Sequence, residues 1–412
     1  MSSRTAPSRA LLPLVALFCA GYLAPYLMPT VVGRLTTGLA LSGSQAGAVG
    51  SALLLGSACA GFTLASRVER IGRARLARYG LLMIAGGFTA AAATGHVGLV
   101  VLGCVAGGLG SGTSTAVAAV GIAGEREPHR VTVLGLLATS AAAGALYLVL
   151  PRLGGGHALP FAAIAATALL VLPLTRRLPA APGPRATAAT PRTAPPLPHL
   201  GSGVVLAASM LCWSLAQNAL WGVSGRIGLD RVGLSETAVG MVFAVALGGG
   251  LVGVVAAGAL GPRLGRAVPI GAGTVVIAVC VAASASARGA MGFAVGEVLW
   301  NTVYPVVLSY VIGLAAALDP RGRWAVYAGS ASSLGVACGP LTGALLGARL
   351  GFPAMGGVLA CLLLLAAVPL TAVARGAGAG TWRRRTVAIG RRAAGRRAAA
   401  AAMARSEVGR AA

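Results

Sequence analysis

The chain has 412 residues, of which 57% are hydrophobic and only 10% are charged, and its mean hydropathy is +0.84. A soluble fold cannot hide so much apolar surface behind so few charges, whereas lipid-facing side chains need no contact with water. The net charge of +25 comes from 33 basic residues, all arginine, in short connectors and a C-terminal tail. Because these arginines are not interleaved with aromatic residues, the sequence argues against nucleic-acid binding.

Apolar runs long enough to cross the roughly 30 Å hydrocarbon core recur along the chain, six before a polar break and six after it. The break, 176–200, holds seven prolines and four arginines, which predicts an extended linker. The sequence therefore predicts an all-α membrane protein with two six-helix bundles, 1–175 and 201–375, followed by a basic tail, 376–412. The predicted spans are 11–33, 45–66, 76–94, 97–123, 131–151, 158–175, 203–224, 236–260, 268–287, 289–313, 324–347 and 353–374.

The arginines also predict the orientation of these helices. If the N-terminus is cytoplasmic and each helix crosses once, the cytoplasmic segments contain 27 arginines and the external connectors contain 6. This asymmetry fits the positive-inside rule with both termini and the linker in the cytoplasm. The sequence therefore predicts a multi-pass protein located in the cell membrane. The tail either contacts anionic lipid or is a solvated segment.

The two halves repeat at an ungapped offset of 193 residues. The matches begin with Leu-Ser at 41–42 and 234–235 and continue over some thirty residues. Two similar six-helix halves around a central pathway are a recurrent plan of transporters. The further matches are Gly47 with Gly240, Gly56 with Gly249, Arg70 with Arg263, Gly72 with Gly265, and Arg73 with Arg266.

Two loops carry related motifs, in segments 65–75 and 258–266. Both are similar to the cytoplasmic loop motif G-x-L-a-D-r-x-G-r-r of the major facilitator superfamily, and the helix count, linker and repeat extend this resemblance over nearly the whole chain. The chain departs from the motif at Ala65 for the first Gly, Glu69 for the Asp, and Pro262 for the second acid. The resemblance implies a twelve-helix, drug-efflux-like permease.

The first loop also predicts a conformational latch. Glycine permits a tight turn, and a carboxylate favours the partial positive charge of a helix N-terminus. The resemblance implies that Glu69 latches the cytoplasmic side closed, whereas the alternative is a solvated loop whose arginines only fix topology. The predicted latch residues are Glu69, Arg70, Gly72, Arg73, Arg126, Arg130, Gly265 and Arg266.

Glu297 is the one acidic residue well inside an apolar run. Charge at that depth costs at least about 2.5–3.5 kcal/mol, so such residues usually face a bundle interior or a water-filled cavity. Helical spacing places Asn301 and Tyr304 on its face. The repeat sets Glu297 opposite Cys104, where efflux members of the superfamily resembled here carry an arginine. Glu297 and Asn301 are the candidate proton or cation site, and the alternative is a hydrogen-bonded structural glutamate.

Aromatic residues are scarce, yet they cluster in the first and seventh runs, which are equivalent in the repeat. Aromatic faces bind flat or cationic solutes, so a substrate cavity is one interpretation and ordinary helix packing is the other. In the first run, Pro25 and Pro29 predict a bend. In the eleventh, glycines every fourth residue from Gly335 to Gly347 predict close helix packing. The candidate cavity residues are Tyr22, Tyr26, Trp213, Gln217, Trp221 and Tyr304.

The sequence contains no nucleotide-binding loop, metal-ligand cluster or catalytic Ser/His/Asp arrangement, so we expect no cofactor, no metal and no enzymatic activity. The function that follows is secondary active transport of a small neutral, lipophilic or cationic molecule by a monomer, coupled to protons or another ion and directed toward efflux. One alternative is a symporter or facilitator importing a nutrient or an organic acid, which Arg34 and Arg226 could admit. Another is a non-transporting sensor or scaffold, which a Glu297 facing lipid or dry protein would favour.

Overall fold

A computed structural model describes residues 11–154, 156–178, 196–261, 264–319 and 321–376, and over these ranges it contains helices and turns but no strand. Within them, eleven helices are long and apolar enough to cross a membrane, and a bent pair forms a twelfth crossing. The predicted all-α membrane fold is confirmed. The crossings are α1a Leu11–Tyr26 with α1b Met28–Gly38, α2 Gly43–Ala65, α3 Arg73–Ala93, α4 Val97–Ala123, α5 Pro128–Leu153, α6 Ala158–Arg177, α7 Leu200–Arg231, α8 Glu236–Leu260, α9 Ala267–Ser286, α10 Ala290–Leu318, α11 Arg323–Leu350 and α12 Phe352–Gly376.

Several predicted segments lie outside the described residues. They are 179–195 of the linker, 377–412 of the tail, and Pro262 with Arg263 of the second loop. Elsewhere the predicted spans agree with the helices, which often extend further than the apolar runs. Thus α7 continues beyond residue 224 to Arg231 because long arginine side chains keep their charged ends in polar surroundings.

Helix pairs recur in the two halves of the molecule. In the first half α1 packs on α5, α2 on α4, and α3 on α4. In the second half the corresponding pairs α7 with α11, α8 with α10, and α9 with α10 are in contact. We call α1–α6 the N-bundle and α7–α12 the C-bundle. We call the membrane side where α1 and α7 begin the linker face, and the opposite side the far face.

The sequence repeat has a direct structural counterpart at the start of α2 and α8. Ser42 caps α2 by accepting a hydrogen bond from the Gln45 N–H at 3.2 Å. Ser235 caps α8 in the same way, with Ala238 N–H as the donor at 3.2 Å. Such caps satisfy a backbone donor that the helix leaves unpaired. The matched serines therefore begin equivalent helices at equivalent positions on the far face.

Matched glycines bring the bundles together along two seams, α2 with α11 and α5 with α8. A Cβ atom at Gly47 of α2 would lie 2.6 Å from the Ala344 Cβ of α11. A Cβ atom at Gly240, the equivalent position of α8, would overlap the backbone carbonyl of Tyr147 on α5. Both positions need glycine because the opposite helix occupies the space of a side chain. The matched glycines of the repeat thus allow close helix contact along both seams.

The predicted bend in α1 is confirmed, since α1a and α1b meet at an angle of 49° around Leu27. Pro29 has no N–H, so the Pro25 carbonyl four residues earlier has no intrahelical donor. The Trp221 Nε1–H of α7 donates to that carbonyl at 3.2 Å. The next carbonyl, of Tyr26, accepts a hydrogen bond from the Tyr147 hydroxyl of α5 at 2.6 Å. The bend therefore exposes carbonyl groups to which the neighbouring helices bond.

Within the described ranges, three hydrogen bonds between the bundles lie at mid-height or nearer the far face. They are the Trp221–Pro25 bond, the bond from Leu341 N–H to Ser51 Oγ at 3.0 Å, and the bond from Arg34 Nη2 to Glu236 Oε2 at 2.7 Å. The bundles are therefore closed against each other at the far face.

The glycine pattern in α11 gives a test of this packing. A Cβ atom at Gly343 would overlap the Ala219 carbonyl of α7, whereas one at Gly329 on the same helix would be in open space. We expect Gly343→Ala to destabilise the protein by about 1–3 kcal/mol, since overpacking forces helices apart. Gly329→Ala should leave stability equal or slightly higher. Thermal unfolding of the purified variants in detergent measures this difference, and equal transitions would contradict the packing.

Candidate functional site

A cavity of about 420 Å³ lies between the bundles at mid-height and extends toward the linker face. Helices α1, α5, α7, α8, α10 and α11 line it, so both bundles contribute to one chamber. No charged side chain is among the described residues that line the chamber. It is bounded toward the far face by the inter-bundle contacts described above, and it is larger than the pocket of about 50 Å³ that lies at the far face.

Aromatic rings form much of the cavity wall. The Trp300 and Tyr304 rings of α10 are arranged edge to face, with centroids 6.3 Å apart. Trp213 does not line the cavity but lies fully buried behind it, stacked on Tyr304 at 5.1 Å. The other five candidate cavity residues do line it. The aromatic lining residues are Phe18, Tyr22, Tyr26, Trp221, Trp300 and Tyr304.

Three carboxamides line the cavity, and each uses its N–H group on a helix carbonyl. Gln217 donates to Trp213 O at 3.1 Å, Asn218 to Ser214 O at 2.9 Å, and Asn301 to Glu297 O at 2.9 Å. Because a carbonyl oxygen only accepts, the side-chain atom beside it must be nitrogen. The amide oxygens are left for other partners, and the buried Gln217 Oε1 has none. The polar part of the cavity therefore presents these amide oxygens as acceptors, together with the second N–H of each amide and the tyrosine hydroxyls, which can donate.

Glu297 lies next to the cavity but does not line it, and its side chain is 0% exposed. Its Oε1 lies 2.8 Å from Ser224 Oγ of α7 and 3.0 Å from Ser284 Oγ of α9. Its Oε2 accepts a hydrogen bond from Trp300 Nε1 at 3.0 Å. The carboxyl group is thus surrounded by protein, with three hydrogen-bonding partners and no arginine among them. Taken alone, this placement favours the structural interpretation of Glu297.

The same partners suit either protonation state of Glu297. Each serine has a second acceptor, Leu220 O at 3.0 Å for Ser224 and Phe293 O at 3.4 Å for Ser284. When the carboxylate is ionised, both hydroxyls can donate to it. When it is protonated, its own O–H can donate to Ser224 while Ser224 donates to Leu220 O. Rotation of hydroxyl hydrogens therefore satisfies both forms without moving a heavy atom.

An aromatic cluster separates the cavity from a small pocket of about 50 Å³ at the far face. Phe243 of α8 is central, with ring centroids 5.1 Å from both Tyr147 and Trp221. Trp221 also contacts Trp300 at 5.9 Å, edge to face. The cluster combines a ring from the N-bundle with rings from the C-bundle. It thus closes the cavity at the level where the Trp221–Pro25 hydrogen bond joins the bundles.

A buried arginine closes the far face above this cluster. Arg34 of α1b pairs with Glu236 at the start of α8 at 2.7 Å and donates to the Gly154 carbonyl beyond α5 at 3.1 Å. Arg226 pairs instead with Asp230 of its own helix at 3.2 Å. Both arginines that could admit an organic acid are therefore paired with carboxylates in this state.

Three of the predicted latch residues form ion pairs within the N-bundle in this state. Glu69 pairs with Arg73 at 3.0 Å, four residues along the N-bundle. Arg130 pairs with Glu127 at 3.2 Å, also within the N-bundle. Gly72 and Gly265, which the repeat matches, both adopt positive φ, 97° and 65°, and so form the tight turns expected of glycine at these positions. The linker-face loops thus have the predicted turns but no described inter-bundle bond.

Sequence reasoning missed several residues of this site. They are the Trp300 indole, the Ser284 hydroxyl and the pairing of Arg34 with Glu236, whereas helical spacing in the seventh run does place Ser224 on the face of Trp213 and Gln217. Serines and tryptophans in apolar runs carry no pattern that marks them. The one sequence signal for the Arg34–Glu236 ion pair was the position of Glu236 at the start of α8, because Arg34 lies in α1 near the same face of the membrane.

The comparisons with known proteins agree with this architecture. No curated protein sequence matches the chain. Among solved structures, a D-xylose–proton symporter is similar with a TM-score of 0.71 and 18% identity, over 88% of this chain and 97% of that one. The human organic anion transporter MFSD10 (TETRAN) is similar with a TM-score of 0.66 and 18% identity, over 89% of this chain and 100% of that one. An inward-open structure of the xylose transporter XylE from E. coli is similar with a TM-score of 0.67 and 17% identity, over 88% of this chain and 94% of that one.

Two six-helix bundles around a central cavity define a polytopic membrane transporter fold. The sequence model of the Major Facilitator Superfamily matches residues 14–320. The chain therefore belongs to the major facilitator superfamily, as the loop motifs and the repeat indicated.

The Arg34–Glu236 pair makes the far-face closure testable. We expect Glu236→Gln to raise the labelling rate of a cysteine placed at Leu229, in the far-face pocket, by up to about fivefold, the upper range for a partly exposed ion pair. A membrane-impermeant maleimide added at the far face to an otherwise cysteine-free protein measures this rate. Asp230→Asn is the matched control, because Asp230 pairs within α7. Equal rates in both variants would show that the inter-bundle pair does not hold the face closed.

Proposed function

We propose that the chain is a secondary active transporter that exports a small neutral, lipophilic or cationic molecule across the cytoplasmic membrane in exchange for protons. The observation that carries this proposal is the chamber between the bundles, closed at the far face and lined by aromatic rings and acceptor oxygens. Alternating access would rock the bundles about their seams so that the chamber opens to each face in turn.

The chemistry of the cavity supports the substrate class. Aromatic faces attract cations and flat rings. Gln217, Asn218 and Asn301 each bond one N–H to a helix carbonyl and leave the amide oxygen available, so these oxygens suit a ligand that donates hydrogen bonds. Since no described lining residue is basic, an organic anion would lose its hydration without a compensating charge. A planar amine or ammonium compound fits this lining best.

The alternative of nutrient import is supported by one observation. A neutral polyhydroxylated molecule also donates hydrogen bonds, and sugar rings pack on aromatic faces. The carboxamide oxygens therefore suit a sugar-like solute as well, whereas they disfavour an organic acid. The D-xylose–proton symporter shares the fold, but at 18% identity this likeness concerns the fold alone. The efflux direction rests on the resemblance of the loop motifs to those of drug-exporting members.

The arginine distribution supports the orientation. The segments that the sequence assigns to the side of the linker hold 27 arginines and the other connectors hold 6, so the positive-inside rule makes the linker face cytoplasmic. The chamber then extends toward the cytoplasm, from which an exporter loads its substrate. In the opposite state, the loops with Glu69 and Gly72 would approach the C-bundle and act as the latch. The chamber lies within one chain, so a monomer is sufficient for transport.

Glu297 and Asn301 are the proposed coupling site. The Glu297 carboxyl group is satisfied both with and without its proton, which a site that takes up and releases a proton requires. Asn301 touches both the cavity and the Glu297 backbone carbonyl. The buried placement of Glu297 alone would suit a non-transporting sensor or scaffold. Family membership and the chamber beside it support transport instead.

The substrate class can be tested by thermal shift. Ethidium, a planar cation with two amino groups, should raise the unfolding temperature of the purified protein, since saturation at 100 times Kd adds about 2.7 kcal/mol. Its N-methylated analogue, which lacks N–H donors on those groups, should stabilise less, and benzoate should not stabilise. Asn301→Leu should reduce the ethidium effect. Stabilisation by benzoate would contradict the class, and stabilisation by xylose alone would favour nutrient import.

Coupling can be tested in proteoliposomes with an imposed pH gradient. Glu297→Gln keeps the size and the hydrogen-bonding ability of the side chain but cannot ionise. We expect it to lose gradient-driven ethidium accumulation while downhill equilibration continues. Glu127→Gln, which removes an exposed carboxylate from the linker face, is the matched control. Full pH-driven transport by Glu297→Gln would rule out the coupling role.

A further inference from the structure

We propose that Trp300 is a positioning residue that links the contents of the cavity to the proton on Glu297. This inference rests on the coupling role proposed above and names the route by which a substrate would influence the carboxyl group. It follows from the position of one side chain whose ring forms cavity wall and whose N–H bonds the carboxylate.

Trp300 is the side chain that touches both sites. Of the three groups bonded to the Glu297 carboxyl, Ser224 and Ser284 do not line the cavity, whereas Trp300 does. Its ring is 5% exposed and lies edge to face against Tyr304 at 6.3 Å. A molecule that packs against this wall therefore presses on the same indole that holds Glu297 Oε2 at 3.0 Å.

The indole differs from the serines in that it can bond the carboxyl group only as a donor. The Ser224 hydroxyl also donates a strong bond to the ionised carboxylate, but it can turn to accept the O–H of the protonated form. The indole N–H only donates, and a hydrogen bond to an ionised acceptor is roughly twice as strong as one between neutral groups. The Trp300 bond therefore favours the ionised carboxylate. A cavity occupant that displaces the ring weakens that bond and promotes proton uptake, and by linkage protonation favours the same occupant.

Few other groups near this carboxyl can change charge. The Tyr147 hydroxyl of α5 and the Cys280 thiol of α9 are near enough to interact with it electrostatically. Tyrosine and cysteine side chains are ordinarily neutral at neutral pH. The α7 and α10 groups facing it, Ser224 and Trp300, do not titrate. The indole hydrogen bond is thus the polar contact through which the cavity can act on Glu297.

The test uses the full-length purified protein and dicyclohexylcarbodiimide, which reacts with protonated carboxyl groups in apolar surroundings. Peptide mass spectrometry measures labelling of Glu297 as a function of pH. In Trp300→Phe, which keeps a ring but removes the N–H, labelling should persist to a pH about one unit higher than in the wild type. This is the tenfold change in proton affinity that one charge-assisted hydrogen bond supplies. Trp300→Leu, which also has no donor, should behave in the same way.

Trp213→Phe is the matched control, because Trp213 lies buried behind the cavity and its Nε1–H has no hydrogen-bond partner among the described residues. Its labelling profile should equal that of the wild type. Equal profiles for Trp300→Phe and the wild type, or equal shifts in the Trp300 and Trp213 variants, would overturn the proposal. So would wild-type labelling that does not change with pH. Size-exclusion chromatography identifies which Trp300 variant is folded and suitable for the measurement.

A side chain introduced into the cavity tests whether filling the cavity affects the proton on Glu297. Gly250 lines the cavity, and a Cβ atom there would lie 3.5 Å from the Asn301 carbonyl oxygen. Gly250→Leu should shift labelling in the same direction as Trp300→Phe, and the double variant should show no further shift. Additive shifts would overturn the link. None of these measurements needs transport, so the two proposals can fail separately. Unchanged labelling with intact pH-driven transport would overturn only the role of Trp300. Shifted labelling without pH-driven transport would overturn only the proposed function.

Discussion

The close contact of helix backbones along the two seams is the constraint on which the rest of the structure depends. Gly47 and Gly240 let α2 meet α11 and α8 meet α5 without side chains between them. Lipid offers no hydrophobic force to press helices together, so such packing and a few hydrogen bonds must do it. Because these contacts concentrate toward the far face, the remaining space between the bundles becomes a chamber at mid-height that extends toward the linker face.

Much of the fold could be predicted from the sequence. Apolar runs give the crossings, since every membrane-spanning backbone must satisfy its hydrogen bonds within a helix. The offset of 193 residues predicted equivalent halves, and the capping serines Ser42 and Ser235 and the matched seam glycines express it in three dimensions. Pro25 and Pro29 predicted the bend of α1 because a missing N–H interrupts the helix ladder.

The site was less predictable. Helical spacing gives the face of a helix on which a residue lies, but it does not give the level in the membrane at which the cavity ends. Glu297, Asn301 and Tyr304 do share a face of α10, yet four residues raise Glu297 by about 6 Å toward the far face. At that level the aromatic cluster has already closed the cavity, so Asn301 and Tyr304 line it and Glu297 does not. Helical spacing shows the direction in which a side chain points, but it does not show where the neighbouring helices meet. Trp213 is a similar case, since Tyr304 covers it.

The alternative acceptors of Ser224 and Ser284 have a kinetic consequence. Hydroxyl rotation takes picoseconds to nanoseconds, whereas collective motion of helix bundles takes microseconds to milliseconds. Proton exchange at Glu297 therefore needs no slow rearrangement of its own surroundings. In a cycle built on this site, turnover would be governed by how often the bundles part and by how quickly water reaches the carboxyl, and not by rearrangement of the hydrogen bonds around it.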